Sequence, residues 1–356
     1  MRIVVSTGGT GGHIYPMLTV AEELKGMNHA ILFSGGLYGP EKELAKKAGF
    51  EFFGVNIKGF DRKDLFKSLT ALFLLPLAVL KAMKMLNTFR PNAVIGAGGY
   101  ASAPTAIAAI LKKIPLFLIE QNVYPGLVTR KLSLKARKVF TSFEKSAQWL
   151  KGANVVISGN PVRKGFSFGD NNRFSKGEKV LIVMGGSQGA RSINNAVVEA
   201  LPLIKDIGCT IYHQTGKLDF ESVKSSYEKI FPSAHVQPYF ENIAEIMSKG
   251  SLALCRAGAS TCAELTLSGL PSILVPYPGA GGHQKLNALS LSDEGAAIYL
   301  DNAELSGESV SSKIRELITD AKKLELMSAN ARELAKPFAG ETIARGICEA
   351  LEGTWG

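Results

Sequence analysis

The chain has little of what would place it in several common protein classes. Its four cysteines (Cys209, Cys255, Cys262, Cys348) are scattered over 356 residues with no C-x-x-C pair. That spacing supports neither a disulfide framework nor a zinc site, and it fits a reducing compartment. The N-terminus carries Arg2 but only a strand-length apolar run, too short for a signal peptide, so a cytosolic chain is expected. The most apolar stretch, Leu69–Leu80, is uncharged but well short of the roughly 20 residues that a spanning helix needs. The P-loop pattern G-x-x-x-x-G-K-[ST] is missing, which excludes an ATPase of that class. No D-x-D pair occurs, so the simplest carboxylate cradle for a magnesium diphosphate is missing too. The formal charge of +10 points to an acidic partner: phosphates, nucleic acid or anionic lipid. Without a zinc-finger or RRM signature or an aromatic-interleaved basic stripe, nucleic acid is the weakest of these.

What remains is a globular composition, 46% apolar and 20% charged, in a chain too long for one ordinary core. Strand-like apolar runs alternate with helical periods throughout, the mark of βαβ units on parallel sheets. The expected strands of the first half are Arg2–Ser6, Ala30–Ser34, Ala93–Ile95, Leu116–Ile119, Lys138–Thr141 and Val155–Ile157. A polar, Gly- and Asn-rich passage, 165–177, makes the best domain boundary. The pattern then restarts with a strand at Lys179–Met184, a glycine turn at 185–191 and a helix at Ser192–Leu201. Further strands follow at Thr210–Gln214, His235–Pro238, Leu252–Cys255, Ser272–Val275 and Ala297–Leu300. The expectation is two doubly wound, Rossmann-like α/β domains, 1–164 and 165–340, with 341–356 able to pack back on the first.

The chain is organised around Gly8-Gly9-Thr10-Gly11-Gly12-His13, between the first strand and a helix expected over Ile14–Lys25. A strand, a glycine turn and a helix start form an anion site, because the turn bares backbone N–H groups and the helix N-terminus adds partial positive charge. It is not a dinucleotide fingerprint: the last glycine of G-x-G-x-x-G is replaced by Ile14, and the second strand ends Phe33-Ser34-Gly35-Gly36 without an acid. A similar turn, Gly96-Ala97-Gly98-Gly99-Tyr100-Ala101-Ser102, follows the strand ending at Ile95, and a third is Gly185–Arg191. Three such turns make a phosphate-rich ligand the expected partner, since ligands gather at the carboxyl ends of parallel strands.

In the second half, Arg256-Ala257-Gly258-Ala259-Ser260 follows a strand, and Glu264 falls one turn into the next helix. That carboxylate can accept two hydrogen bonds from a ribose diol, or simply favour the helix dipole. Ser260 and Thr261 read equally as helix caps. Gln284 and Asn287, one turn apart after a glycine-rich loop, suit sugar hydroxyls or a solvated face. The segment Arg62–Leu86 reads as one long helix, either buried or resting an apolar face with a rim of Lys67, Lys81 and Lys84 on an anionic bilayer.

Taken in order, GGTGGH (8–13), GAGGYAS (96–102), EQN (120–122), SGNPVR (158–163), GGSQGAR (185–191) and CRAGASTCAE (255–264) resemble the MurG family of N-acetylglucosaminyltransferases over nearly the whole chain. The resemblance implies a GT-B fold, two such domains facing a cleft, with UDP-N-acetylglucosamine as donor and lipid I (undecaprenyl-diphospho-N-acetylmuramoyl pentapeptide) as acceptor. It implies no cofactor, no metal and no nucleic-acid partner. Glu264 would bind the ribose diol, the Ile243 backbone the uracil, and Ser187 with the helix starting at Ala259 the diphosphate. Gln284 and Asn287 would read the sugar, Asn122 and Arg163 would complete the donor site, and Thr10, Gly11 and Gly12 would border the transferred sugar. The family often has Leu-Thr-Val-Ser before this glutamate, where the chain has Ser260-Thr261-Cys262-Ala263, which alters side-chain contacts only.

The implied reaction is an inverting transfer to the 4-hydroxyl of N-acetylmuramic acid, forming a β-1,4 link. A base is needed, and His13 is the leading candidate, against a lesser role of hydrogen-bonding a phosphate or backbone. His283 and Glu120 compete for that task, whereas His29, His213 and His235 sit in strand contexts and read as structural. The acceptor diphosphate is expected at Gly8, Gly9, Gly98, Gly99 and Tyr100. A polyprenyl acceptor would hold the enzyme on the cytoplasmic face of the bacterial membrane through 62–86. A UDP-N-acetylglucosamine 2-epimerase of the same fold is the nearest rival reading, and a non-catalytic nucleotide-sugar binding subunit a further one.

Overall fold

Apolar runs with little alternation become strands covered on both faces, as parallel sheets require. The computed structural model describes residues 1–9, 11–57, 65–175, 178–186 and 188–352, with side chains except at 65–73, 171 and 280. Contacts divide the chain into two units, Met1–Arg163 together with Pro337–Gly356, and Lys164–Lys336.

The first unit runs β1 (Arg2–Ser6), α1 (Gly11–Gly26), β2 (Ala30–Gly36), α2 (Glu41–Lys47), β3 (Glu51–Val55), α3 (Leu65–Phe89), β4 (Ala93–Gly96), α4 (Ala103–Leu111), β5 (Leu116–Glu120), α5 (Leu127–Leu132), β6 (Lys138–Thr141) and β7 (Val155–Ile157). Its seven strands are all parallel, in the order β3-β2-β1-β4-β5-β6-β7. Strand alternation splits β1 between two cores. Ile3 and Val5 pack with Ile14, Met17 and Leu24 of α1, whereas Val4 packs with Val79, Ala82 and Leu86 of α3 and Ala106 and Ala109 of α4.

The second unit runs β8 (Val180–Met184), α6 (Arg191–Ile204), β9 (Thr210–Gln214), α7 (Phe220–Ile230), β10 (His235–Gln237), α8 (Ile243–Lys249), β11 (Leu252–Cys255), α9 (Ala259–Ser268), β12 (Ser272–Leu274), α10 (His283–Ser292), β13 (Ala297–Tyr299), α11 (Gly307–Ile318) and α12 (Ala321–Glu333). Its sheet is parallel, in the order β10-β9-β8-β11-β12-β13. The last helix, α13 (Ala339–Glu352), belongs to the first unit, where Ile343, Ala344, Ile347 and Leu351 share a core with α1 and Phe140. Burying each of the larger side chains contributes about 1.5–3 kcal/mol, enough to make α13 part of that core rather than an appendage.

The structure adds to the sequence reading at three places. Residues 51–55 form an edge strand, β3, which its half-buried side chains hide from a search for apolar runs. The 165–177 passage, just past the division at Arg163 and Lys164, is packed into the second unit where described: Phe174 enters its core, and the buried Arg173 guanidinium donates to the carbonyls of Ser248, Ser268 and Gly269. The long helix is described from Leu65 and runs to Phe89, and residues 62–64 and the Lys67 side chain lie outside the described part. Along α3 the residues Ala78, Val79, Ala82, Met85 and Leu86 are buried, while Leu77 and Leu80 are 64% and 61% exposed beside exposed Lys81 and Lys84. Among the described residues, no helix is long and apolar enough to cross a membrane.

Candidate functional site

In each sheet the strand order reverses once, between β1 and β4 in the first unit and between β8 and β11 in the second. Such switch points open a crevice at the carboxyl ends of the strands. The loops singled out above sit there, in two pairs.

In the first unit, the 8–13 loop leaves β1 and the 96–102 loop leaves β4. They meet backbone to backbone: a Cβ added at Gly99 would stand 3.2 Å from the Gly8 carbonyl oxygen. Gly8 itself has φ +157° and backs onto Glu41, whose Oε1 would lie 2.6 Å from a Cβ there. Thr10 lies outside the described residues. Gly11 opens α1, earlier than the Ile14 start expected, so Gly12 and His13 fall in its first turn, where N–H groups lack intrahelical partners and no acid is present. The half-buried His13 ring is bordered by both loops, its Cδ2 standing 3.9 Å from the positions a Cβ would take at Gly9 and Gly99. The Thr7 hydroxyl donates to the His13 carbonyl at 3.0 Å, and His13 Nδ1 lies 2.9 Å from Gln121 Oε1. Tyr100 is 43% exposed, and burial together with the nearby Glu41 carboxylate raises its phenol above the ordinary value.

Glu120, a rival for base, is 1% exposed and fully engaged as an acceptor. Its carboxylate takes hydrogen bonds from Asn122 N at 3.0 Å, Gly126 N at 2.9 Å, Thr129 Oγ1 at 2.7 Å and Asn122 Nδ2 at 3.3 Å. It organises the 120–129 loop and holds Asn122 in place. Arg163 lies over the Tyr15 ring of α1, 5.2 Å from its centroid. Sequence reading missed Glu41, a carboxylate 1% exposed that accepts from Gly36 N at 2.7 Å. The signal was available in Gly35, Gly36 and Gly39, which crowd around it and leave no room for side chains.

In the second unit, the 185–191 loop leaves β8 and the 256–258 turn leaves β11. Ser187 lies outside the described residues. Gly189, at φ +77°, cannot be replaced without its Cβ overlapping the Thr215 carbonyl. Of the two readings of Ser260 and Thr261, the cap is the one that falls: the N-cap of α9 is Gly258, which brings no side chain to the first N–H groups. A side-chain cap would occupy the donors that an anion could use. Ala259 and Cys262 are buried, and Ser260, Thr261, Ala263 and Glu264 are half-buried along the helix. Burial pushes the Cys262 thiol up to about 12, so it stays protonated. At the other end of α9 Arg173 complements the helix dipole, and burial and the nearby Arg332 bring its guanidinium down to about 10. Ile243 opens α8, where its backbone N–H has no intrahelical partner.

Gln284 and Asn287 fall on α10 with different duties. Gln284 Oε1 accepts from Tyr277 N at 2.9 Å, fastening the glycine-rich loop. Asn287 is wholly buried and donates to the Ala257 carbonyl at 3.1 Å. His283 is the first residue of α10, after Gly282 in the left-handed region. Arg256 was also passed over. It donates to Val275 O, Pro276 O, Asn302 Oδ1 and Ser192 Oγ at 2.7–3.1 Å, lacing the start of α6 to the loop before α10.

A second buried network braces the start of α6. His213 Nε2 lies 3.1 Å from Asn194 Oδ1, and its Nδ1 lies 3.0 Å from the Tyr227 hydroxyl. Asn194 Nδ2 donates to Thr215 O and to Asp219 Oδ2, which sets the amide so that its oxygen faces the imidazole. Burial lowers the His213 pKa to about 3. His29 bonds the N-terminal ammonium and Cys348, and His235 stacks on Tyr212. Among the described residues, no group of three or more His, Cys, Asp or Glu is arranged to hold a metal ion.

Comparison with known proteins covers both units. The glycosyltransferase family 28 N-terminal domain matches residues 3–141, and the glycosyltransferase family 28 C-terminal domain matches 180–343. A protein of Nitratidesulfovibrio vulgaris, named UDP-N-acetylglucosamine–N-acetylmuramyl-(pentapeptide) pyrophosphoryl-undecaprenol N-acetylglucosamine transferase, is 37% identical, covering 99% of this chain and 98% of that protein. One of the same name from Syntrophus aciditrophicus is 38% identical, over 96% of this chain and 97% of its own. The crystal structure of Acinetobacter baumannii MurG matches with a TM-score of 0.81 at 28% identity, covering 98% of this chain and 99% of that one. The UDP-GlcNAc 2-epimerase from Neisseria meningitidis matches with a TM-score of 0.68 at 14% identity, a likeness of fold alone.

Proposed function

From the premise that this chain belongs to glycosyltransferase family 28, and within it to the MurG family, we propose that it transfers N-acetylglucosamine from UDP-N-acetylglucosamine to the 4-hydroxyl of N-acetylmuramic acid in lipid I, forming lipid II. The observation that carries this reading is full-length likeness to transferases of that name. The paired loops at both switch points are consistent with it, offering backbone donors to two diphosphates.

In this reading the second unit takes the donor. The N-terminus of α9 and the 185–191 loop, with Ser187, hold the UDP diphosphate, Glu264 the ribose diol and the Ile243 backbone the uracil. Gln284 reads the sugar directly, whereas Asn287 shapes its site through the Ala257 carbonyl. The first unit takes the acceptor diphosphate at Gly8, Gly9, Gly98, Gly99 and Tyr100, with Thr10, Gly11 and Gly12 bordering the transferred sugar and Asn122 and Arg163 completing the donor site. The acceptor O4 attacks the anomeric carbon as its bond to the diphosphate breaks. His13 takes the O4 proton, and the bonding electron pair leaves with UDP, whose charge the helix N-termini and Arg163 stabilise. The exposed Leu77, Leu80, Lys81 and Lys84 of α3 rest on an anionic bilayer, placing the enzyme peripherally on the cytoplasmic face, with no nucleic-acid partner.

UDP release measured with and without a lipid I analogue tests this. Acceptor-dependent release is expected, release that ignores the acceptor refutes transfer to lipid I, and no release in either case refutes the transferase. His13→Ala is expected to lower kcat by about 100-fold or more while UDP binding persists, and an unchanged kcat removes His13 as base.

A further inference from the structure

The bond between His13 and Gln121 decides which nitrogen of the ring is basic. Gln121 follows β5 and is 1% exposed. The backbone around it is pinned on both sides: Ser142 N and Oγ donate to the Glu120 carbonyl, Ser146 Oγ donates to the Asn122 carbonyl, and the Glu120 carboxylate gathers Asn122, Gly126 and Thr129. The carboxamide stands on this fixed platform with Oε1 2.9 Å from His13 Nδ1. An amide oxygen only accepts, so in the neutral ring Nδ1 must carry the hydrogen.

We propose that Gln121 is a positioning residue that locks His13 in the Nδ1–H tautomer and leaves Nε2 as the ring's lone-pair nitrogen. The proposal builds on the reading of His13 as the general base. An unconstrained neutral histidine side chain favours the opposite form, with hydrogen on Nε2 and the lone pair on Nδ1. In this site that form would turn the basic nitrogen onto the buried amide and leave no base for an incoming hydroxyl. The ring nitrogen that acts is set by the hydrogen bond made by the other. With Oε1 toward the ring, Gln121 Nε2 meets no acceptor among the described residues, so the amide's orientation and the ring's tautomer are set together as a pair. A reversed amide, donating from Nε2 to Nδ1, would impose the opposite tautomer.

Long-range proton–nitrogen NMR of the full chain, with histidines labelled with nitrogen-15 and the His13 signals identified by their loss in His13→Ala, reads the tautomer without reference to turnover. The wild type is expected to show Nδ1–H. Gln121→Leu is expected to move the ring toward Nε2–H and lower kcat by about tenfold or more, with KM for UDP-N-acetylglucosamine little changed. Gln121→Glu, which still accepts at that position, is expected to restore the Nδ1–H pattern. Nε2–H in the wild type overturns the proposal, as does an Nδ1–H signal that Gln121→Leu leaves untouched. If Gln121→Leu fails to fold, the wild-type spectrum and Gln121→Glu decide. A wild type that releases no UDP on addition of acceptor overturns the transferase reading instead, and that result is separate from the spectrum.

Discussion

The buried imidazole of the second unit makes stability depend on pH in a way that can be worked through. His213 is inaccessible to solvent, with Asn194 Oδ1 accepting from Nε2–H and the Tyr227 hydroxyl donating to Nδ1. Among the described residues no carboxylate hydrogen-bonds to the ring, so a proton gained there would be a buried charge without a counter-ion, and burial lowers the pKa from 6.5 to about 3. The unfolded chain binds a proton as pH falls through 6.5, and the folded chain does not until about 3. Stability from this group is thus complete above 6.5 and is lost as pH falls toward 3. Between pH 7 and pH 5 the loss from this one residue is about 2 kcal/mol. Urea unfolding of the full chain at both pH values, followed through the second-unit transition, measures it. His213→Gln, which cannot titrate, provides the reference for all other groups. The wild type should lose about 2 kcal/mol more than the variant over this interval. Equal losses refute the reasoning, and so does a His213 proton signal that titrates between pH 7 and pH 5.

Three further outcomes follow from particular contacts. Lys81→Glu with Lys84→Glu should weaken binding to anionic vesicles, most clearly at low salt, and indifference to both lipid charge and salt would count against membrane contact through α3. Gly189→Ala forces a left-handed residue into the Thr215 carbonyl, at a cost of at least about 1–2 kcal/mol, and calorimetry should show UDP affinity reduced about tenfold or more. Ile347→Ala opens a cavity under α1 and should cost the first unit about 2–5 kcal/mol, read as a lower melting temperature with the second-unit transition unmoved.

The two parallel sheets were legible because strands covered on both faces are written as continuous apolar runs, so β1, β4, β5, β8 and β11 stand out. The edge strand β3 was not, since its Phe52, Phe53 and Gly54 are only half-buried and Glu51 opens it. The loops at the switch points were legible through their glycines. Their supports were not: Gln121 lies 108 residues from His13, and no spacing rule reaches from β5 to the loop after β1. The two readings of Ser260 and Thr261 could not be separated for a physical reason. Ser and Thr are preferred caps on average, but here Gly258 ahead of them takes the cap position and brings no side chain to it. Arg256 and Glu41 were overlooked because a buried charge declares itself only through the carbonyls or glycines folded around it.

The return of α13 to the first unit has a consequence for how the protein is made. Residues 1–163 emerge from the ribosome early, but the α1 face of their core stays open until Ile343, Ile347 and Leu351 have been synthesised. At about 5–20 residues per second that wait is about 10–40 s. The second unit, contiguous from Lys164 to Lys336, can complete its own core in the meantime. Synthesis order and folding order are therefore reversed: the half begun first is finished last, and until then it offers chaperones an apolar groove shaped like its own final helix.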